Sequence, residues 1–238
     1  MPGVNKTEGK IRAVWFDLDG VLLDTRELHF VALNKAIMAA DPKYEITKEM
    51  ALDRYDGMPT KVKLQMMTDE LGLPTELHQQ IYTQKQAMTQ LAIDEVVTVD
   101  EGKVALMKAL RERGLTIGCC SNSITETIEN LLTRCGVREY FDFIKSNQMA
   151  PMDVNPKPNP AVYLQCCAEH GLSPFECLVV EDSPMGRTAA FMSRCHVMPV
   201  LNHDEVTEES VLACIAKCEE ANAATDFEFG GQLRSAAF

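Results

Sequence analysis

Val14-Trp15-Phe16-Asp17-Leu18-Asp19-Gly20-Val21-Leu22-Leu23-Asp24 is the stretch from which the rest of the chain is read. An apolar run stops at two acids placed one residue apart, and a glycine follows. Ala13 to Phe16 shows no alternation with polar residues, as expected of a strand covered on both faces. Side chains alternate along an extended backbone, so Asp17 and Asp19 would project the same way if the strand continued. Gly20 permits a sharp turn, which leaves both carboxylates at the strand's carboxyl end, where open α/β sheets form their ligand crevice. Two carboxylates held this close repel unless a cation or a proton intervenes. An acidic turn after a core strand is the plainer alternative.

The 238 residues suffice for one large or two modest domains, and a hydrophobic share of 46% is that of an ordinary globular protein. The formal charge of -12 disfavours nucleic acid and anionic membrane as partners. An anionic substrate would then need locally placed lysines or a metal ion. Nine cysteines, without paired CxxC motifs, read as small core residues in a reducing cytosol. Cys214 and Cys218 share a helical face suited to a soft metal, although core packing is the simpler account. Met1 to Lys10 has no apolar stretch, and no run reaches membrane-spanning length.

After Asp24 the pattern turns helical. Leu28, Val31, Ala32, Ala36 and Ile37 fall at helical spacing within Thr25–Ala40. Further helices are predicted over Thr47–Tyr55, Thr60–Leu71 and Thr75–Ile93, separated by Asp56-Gly57-Met58-Pro59 and Gly72-Leu73-Pro74. This block reads as an inserted helical domain, 25–96, between a core of 1–24 and 97–238. The core then alternates: helix Lys103–Arg113, strand Leu115–Cys120, helix Ser123–Cys135, strand Phe141–Lys145 and a helix from Asn159 to Gly171. Strand Leu178–Val180, a helix to Arg194, strand Val197–Val200 and a closing helix Glu205–Ala221 complete it. The tail beyond Asn222 is expected to be loose. Repeated strand–helix units imply a parallel sheet.

Three strand ends carry polar groups: Asp17 and Asp19, Ser121 and Asn122, Glu181 and Asp182. All should gather at one sheet edge, with Lys157 entering from a loop stiffened by prolines on both sides. Carboxylates, a lysine and a hydroxyl suit Mg²⁺ and phosphate oxygens. Singly, each has a duller reading: a helix cap, a solvated loop lysine, an acidic helix start.

Together these motifs resemble the haloacid dehalogenase-like superfamily, in the branch with β-phosphoglucomutase and many small phosphatases. The resemblance runs from about Ile11 to Val200 on Asp17-Leu-Asp19-Gly-Val, Ser121-Asn122, Lys157-Pro158 and Glu181-Asp182-Ser183-Pro-Met-Gly186. It implies a Rossmann-like α/β core with an inserted all-α cap, and Mg²⁺-dependent phosphoryl transfer through an aspartyl-phosphate. Dehalogenating members lack the second acid, so Asp19 argues against that chemistry. By this resemblance Asp17 is the nucleophile and Asp19 the general acid and base. Asp17, the Asp19 carbonyl, Glu181 and Asp182 hold Mg²⁺, while Ser121, Asn122 and Lys157 take the phosphoryl oxygens, and Gly186 permits close helix packing. His29 falls where the β-phosphoglucomutase branch has a histidine near the general acid; a helix-surface position is the alternative. Substrate contacts are expected from the loop around Gly57 to Lys61, where Thr60 replaces the mutase's phosphate-gripping arginine and Lys61 and Lys63 lie close by. The segment before Lys157 is longer than the family pattern. The expectation is a monomeric, cytosolic phosphatase for a small phosphorylated metabolite, a sugar or polyol phosphate. A β-phosphoglucomutase-like mutase and a catalytically weak metabolite- or partner-binding relative are the alternatives.

Overall fold

A computed structural model describes residues 9–55 and 58–235, with side chains described to residue 224. Gly57 of the expected specificity loop lies outside the described residues. Five strands, β1 Ala13–Phe16, β2 Thr116–Cys120, β3 Phe143–Lys145, β4 Cys177–Glu181 and β5 His196–Pro199, form one parallel sheet in the order β3-β2-β1-β4-β5. The first strand is therefore central, and the strand order reverses around it, which opens a crevice beyond its carboxyl end.

Its unbroken apolar run has a direct cause. Val14 and Phe16 face a cluster that includes Ile117, Leu178 and Val180 on one side of the sheet, and Ala13 and Trp15 face another that includes Tyr163, Cys177 and Val179 on the other. Helices α5 Glu101–Glu112, α6 Thr125–Arg134 and α9 Glu208–Ser235 supply the first layer. Helices α7 Ala161–Glu169 and α8 Pro184–Met192 supply the second. The described cysteines are unpaired thiols, all buried except the half-buried Cys214, in keeping with core packing.

Between β1 and β2 the chain forms only helices: α1 Arg26–Ala40, α2 Lys48–Arg54, α3 Thr60–Leu71 and α4 His78–Val96, plus short 3-10 turns. They enclose their own apolar cluster, which includes Leu33, Ile37, Tyr55, Leu64, Met67 and Ile81. Helices α1 and α4 pack against each other. The lower end of α4 joins the sheet's layer instead, through Ile93. Gln90 and Asp94 also bind Asn130 and Arg134 of α6.

One expectation is overturned. The chain beyond Asn222 is not loose at its start, because α9 runs on to Ser235. Asn222 bonds the carbonyls of Gly9 at 3.1 Å and Phe175 at 2.9 Å and the His196 ring at 2.9 Å, tying that helix to the amino-terminal edge of the sheet beside β1, β4 and β5. Among the described residues no helix is long and apolar enough to cross a membrane.

Candidate active site

Strand register brings the polar groups together. Phe16 aligns with Cys119 on one neighbour and with Val180 on the other. One residue further along, Asp17 stands between Cys120 and Glu181, with Ser121 and Asp182 just beyond. Their common front is one wall of a cavity of about 610 Å³, lined there by Asp17, Asp19, Ser121, Asn122, Lys157 and Asp182. The helical block forms the facing wall.

The duller readings fail on local geometry. Helix α6 begins after Ile124, whose side chain caps nothing, so Ser121 and Asn122 are not its cap. The cap of α8 is Ser183, which accepts a hydrogen bond from the Gly186 N–H at 3.0 Å, while Glu181 closes the strand and is fully buried. Lys157 is not a solvated loop residue either, being 4% exposed. Its Nζ donates to Asp17 at 2.7 Å, to the Cys120 carbonyl at 2.6 Å and to Glu181 at 2.5 Å. Burial opposes its charge, but Asp17 and Glu181 outweigh that and hold it protonated.

Asp17 responds in the other direction. Burial pushes its carboxyl well above the ordinary value, Lys157 pulls it down, and Glu181, Asp19 and Asp182 push it up again. Four acids thus face one buried lysine. Carboxylate oxygens of Asp17, Glu181 and Asp182 lie within 4.8 Å of one another. Two glycines make room for them. A Cβ on Gly20, whose φ is +85°, would fall inside 3.0 Å of the Asp182 carboxylate, and one on Gly186 would do the same to Glu181. An all-oxygen donor set with an excess of negative charge fits a hard divalent cation.

Asp19 is built differently. It accepts hydrogen bonds from the Thr25 hydroxyl, from Ser123 Oγ at 2.9 Å and, more weakly, from Ser121 Oγ at 3.4 Å, and it pairs with His29 Nε2 at 3.0 Å. Burial alone would raise its pKa; His29 and the hydroxyls of Thr25 and Ser123 overcome it and hold the group well below the usual carboxylate range. His29 is therefore not a surface histidine. Burial and Lys85 lower its pKa against the pull of Asp19. Lys85 Nζ lies 3.3 Å from His29 Nδ1, and a protonated lysine can only donate there, which leaves the Nε2–H to face Asp19. Thr60 opens α3 and lines the cavity, whereas Lys61 is exposed at its rim, 5.6 Å above the Tyr82 ring.

Sequence reasoning missed Thr25, Ser123, Lys85 and Tyr163. Thr25 reads in sequence as the start of a helix, yet it makes no cap bond because its hydroxyl is committed to Asp19. Tyr163 donates to Glu181 at 2.6 Å. Ser123 is the one with a usable signal, two residues after Ser121 in the same turn.

A sequence model described as haloacid dehalogenase-like hydrolase matches residues 14–200. Hexitol phosphatase B of Escherichia coli K12 is 27% identical over 188 residues, covering 79% of this chain and 82% of that protein. The β-phosphoglucomutase of Bacillus subtilis is 26% identical over 185 residues, covering 75% and 78%. Among solved structures, CbbY of Rhodobacter sphaeroides in complex with phosphate superposes with a TM-score of 0.70 at 23% identity, covering 79% of this chain and 85% of that one. At that identity the superposition speaks to the fold.

Proposed function

The chain belongs to the haloacid dehalogenase-like hydrolases, as a phosphoric monoester hydrolase, and we propose that it cleaves a small phosphorylated metabolite, of sugar or polyol type, with Mg²⁺ and through an aspartyl-phosphate. The observation that carries this is the meeting of Asp17, Asp19, Ser121, Lys157 and Asp182 on one cavity wall. The relatives named as phosphatases support the same reading. Helices over 25–96 act as a cap domain over a core of 1–24 and 97–238, since the cavity lies between the two sets of residues.

In the proposed reaction a carboxylate oxygen of Asp17 attacks phosphorus as the ester P–O bond breaks on the opposite side. Asp19 gives a proton to the departing oxygen and then removes one from the water that cleaves the acyl phosphate. Lys157, the Ser121 hydroxyl and the Asn122 amide neutralise the phosphoryl oxygens, with Lys157 held ready by Asp17 and Glu181. Asp17, the Asp19 carbonyl and Asp182, with Glu181 beside them, would hold Mg²⁺, which when bound offsets charge on the phosphoryl group. In the free chain the ring of donors around Asp19 keeps its carboxylate aimed and ionised, the form the base step needs, and for the acid step it takes up a proton as the substrate's phosphoryl charge arrives beside it.

Phosphate release measured over a panel of phosphorylated metabolites, with and without Mg²⁺, tests the assignment. Release should depend on the metal, and none with any substrate would refute it. The mutase reading draws on the half-buried Lys63 in the cavity wall. A ³¹P NMR time course with β-glucose 1-phosphate and a trace of its bisphosphate separates the two. Glucose 6-phosphate accumulating ahead of free phosphate would replace the phosphatase by the mutase.

A further inference from the structure

Every donor of Lys157 is already in use. An ammonium group carries three N–H donors, and here they are committed to Asp17, to the Cys120 carbonyl and to Glu181. A phosphoryl oxygen therefore gains a bond from Lys157 only when one of these acceptors gives it up. The Cys120 carbonyl is fixed at the fully buried end of β2, where losing the ammonium is costly. Asp17 needs the positive charge most at the moment an anionic phosphoryl group approaches it. Glu181 differs from both, because the oxygen that accepts from Lys157 at 2.5 Å also accepts from the Tyr163 hydroxyl at 2.6 Å.

Tyr163 sits in the first turn of α7 and is fully buried, with the Lys157 ammonium 5.3 Å from its ring centre. Burial and Glu181 push its phenol well above the ordinary value, so the hydroxyl stays protonated and able to donate. We propose that Tyr163 is a positioning residue, which keeps Glu181 satisfied and in place while Lys157 turns from Glu181 to the phosphoryl oxygens. This rests on the phosphatase reading and names the exchange of hydrogen bonds by which Lys157 reaches the substrate. In Tyr163→Phe the Glu181 Oε1 would keep Lys157 as its one donor among the described residues, since Ser183 Oγ stands at 3.5 Å from the other oxygen. A buried carboxylate left with one donor holds that ammonium harder, because releasing it would orphan the charge. Removing the hydroxyl should therefore pin Lys157 to Glu181 and withhold it from phosphate.

Calorimetric binding of inorganic phosphate in Mg²⁺ buffer tests this without turnover, with Mg²⁺ binding measured separately in phosphate-free buffer. Tyr163→Phe should weaken phosphate binding by at least ~10-fold, the loss of one charge-assisted hydrogen bond, while Mg²⁺ affinity stays within ~3-fold of wild type. Packing damage alone would lower the urea midpoint without separating the two affinities. Unchanged phosphate affinity in Tyr163→Phe, or Mg²⁺ affinity falling as far as that for phosphate, would overturn the proposal. A second arm places 3-fluorotyrosine at position 163, which keeps both the ring and the donor. Its ¹⁹F resonance should shift as phosphate saturates the site, because the hydroxyl is then the remaining donor to Glu181 Oε1. An unmoved resonance would overturn the proposal even where Tyr163→Phe does not fold. Hydrolysis of an aryl phosphate by the wild-type chain is followed in parallel. Turnover with neither signature sinks this proposal alone, whereas a wild-type chain that neither binds phosphate nor turns over sinks it together with the phosphatase reading.

Discussion

Replacing Gly186 by alanine sets two physical effects against each other. Gly186 lies in the first turn of α8, and helix propensity alone favours alanine by up to about 1 kcal/mol. Against this, the new Cβ would come within 3.0 Å of both carboxylate oxygens of Glu181. Glu181 cannot retreat freely, being 0% exposed and held by Lys157 at 2.5 Å and Tyr163 at 2.6 Å. If the carboxylate swings away, the buried Tyr163 hydroxyl loses its acceptor, at a cost of about 1–3 kcal/mol. Lys157 keeps Asp17 and the Cys120 carbonyl, so its loss is partial. If the helix moves instead, overpacking costs about 1–3 kcal/mol. By either route Gly186→Ala should destabilise, by about 1–2 kcal/mol once the propensity gain is subtracted. Urea unfolding of the metal-free chain reads this as a lower midpoint at unchanged slope. Tyr163→Phe should be non-additive with it if Glu181 is the group that moves. A midpoint at or above wild type would refute the argument, since only the steric conflict opposes the propensity.

Other consequences are simpler to read. Asp17→Asn should abolish turnover while the near-isosteric chain keeps its circular dichroism; retained activity would end the nucleophile assignment. Asp19→Asn should slow alkyl phosphates by ~10²–10⁴-fold and aryl phosphates much less, because an aryl oxide leaves without a proton, and equal losses would argue against an acid role. Ca²⁺ should displace Mg²⁺ yet support little turnover, its looser coordination spoiling the in-line arrangement, which metal-exchange kinetics can check.

Strand ends were legible in the sequence because each pairs a run of apolar residues with an abrupt polar stop, a pattern that only a covered parallel sheet explains. Lys157 was legible through its flanking prolines. The donors around Asp19 were not, because their meaning depends on distant chain coming together: Ser123 reaches Asp19 across 104 positions. Lys85 looks in sequence like Lys61, a lysine among polar helical residues. Only the packing of α4 against α1 turns one inward beside His29, while Lys61 stays at the rim. The tail was misread for a related reason. Asn222 looks like a helix end, and its partners Gly9 and Phe175 lie 213 and 47 positions away.

Thr60 bears on phosphatase against mutase in a way that charge counting alone would miss. A mutase must retain a bisphosphorylated intermediate, turn it over and shield the phosphoenzyme from water meanwhile. Such retention needs a group that fixes orientation as well as charge, and an arginine does so by donating two parallel hydrogen bonds. This cavity offers Thr60, a neutral donor, at the start of α3, with Lys63 three residues on and Lys85 tethered to His29. Ammonium groups attract an anion but leave it free to rotate. A cavity built this way lacks the orienting hold that keeps a bisphosphorylated intermediate in place. Water should therefore capture the aspartyl-phosphate before the substrate turns, so net hydrolysis is the outcome this arrangement favours.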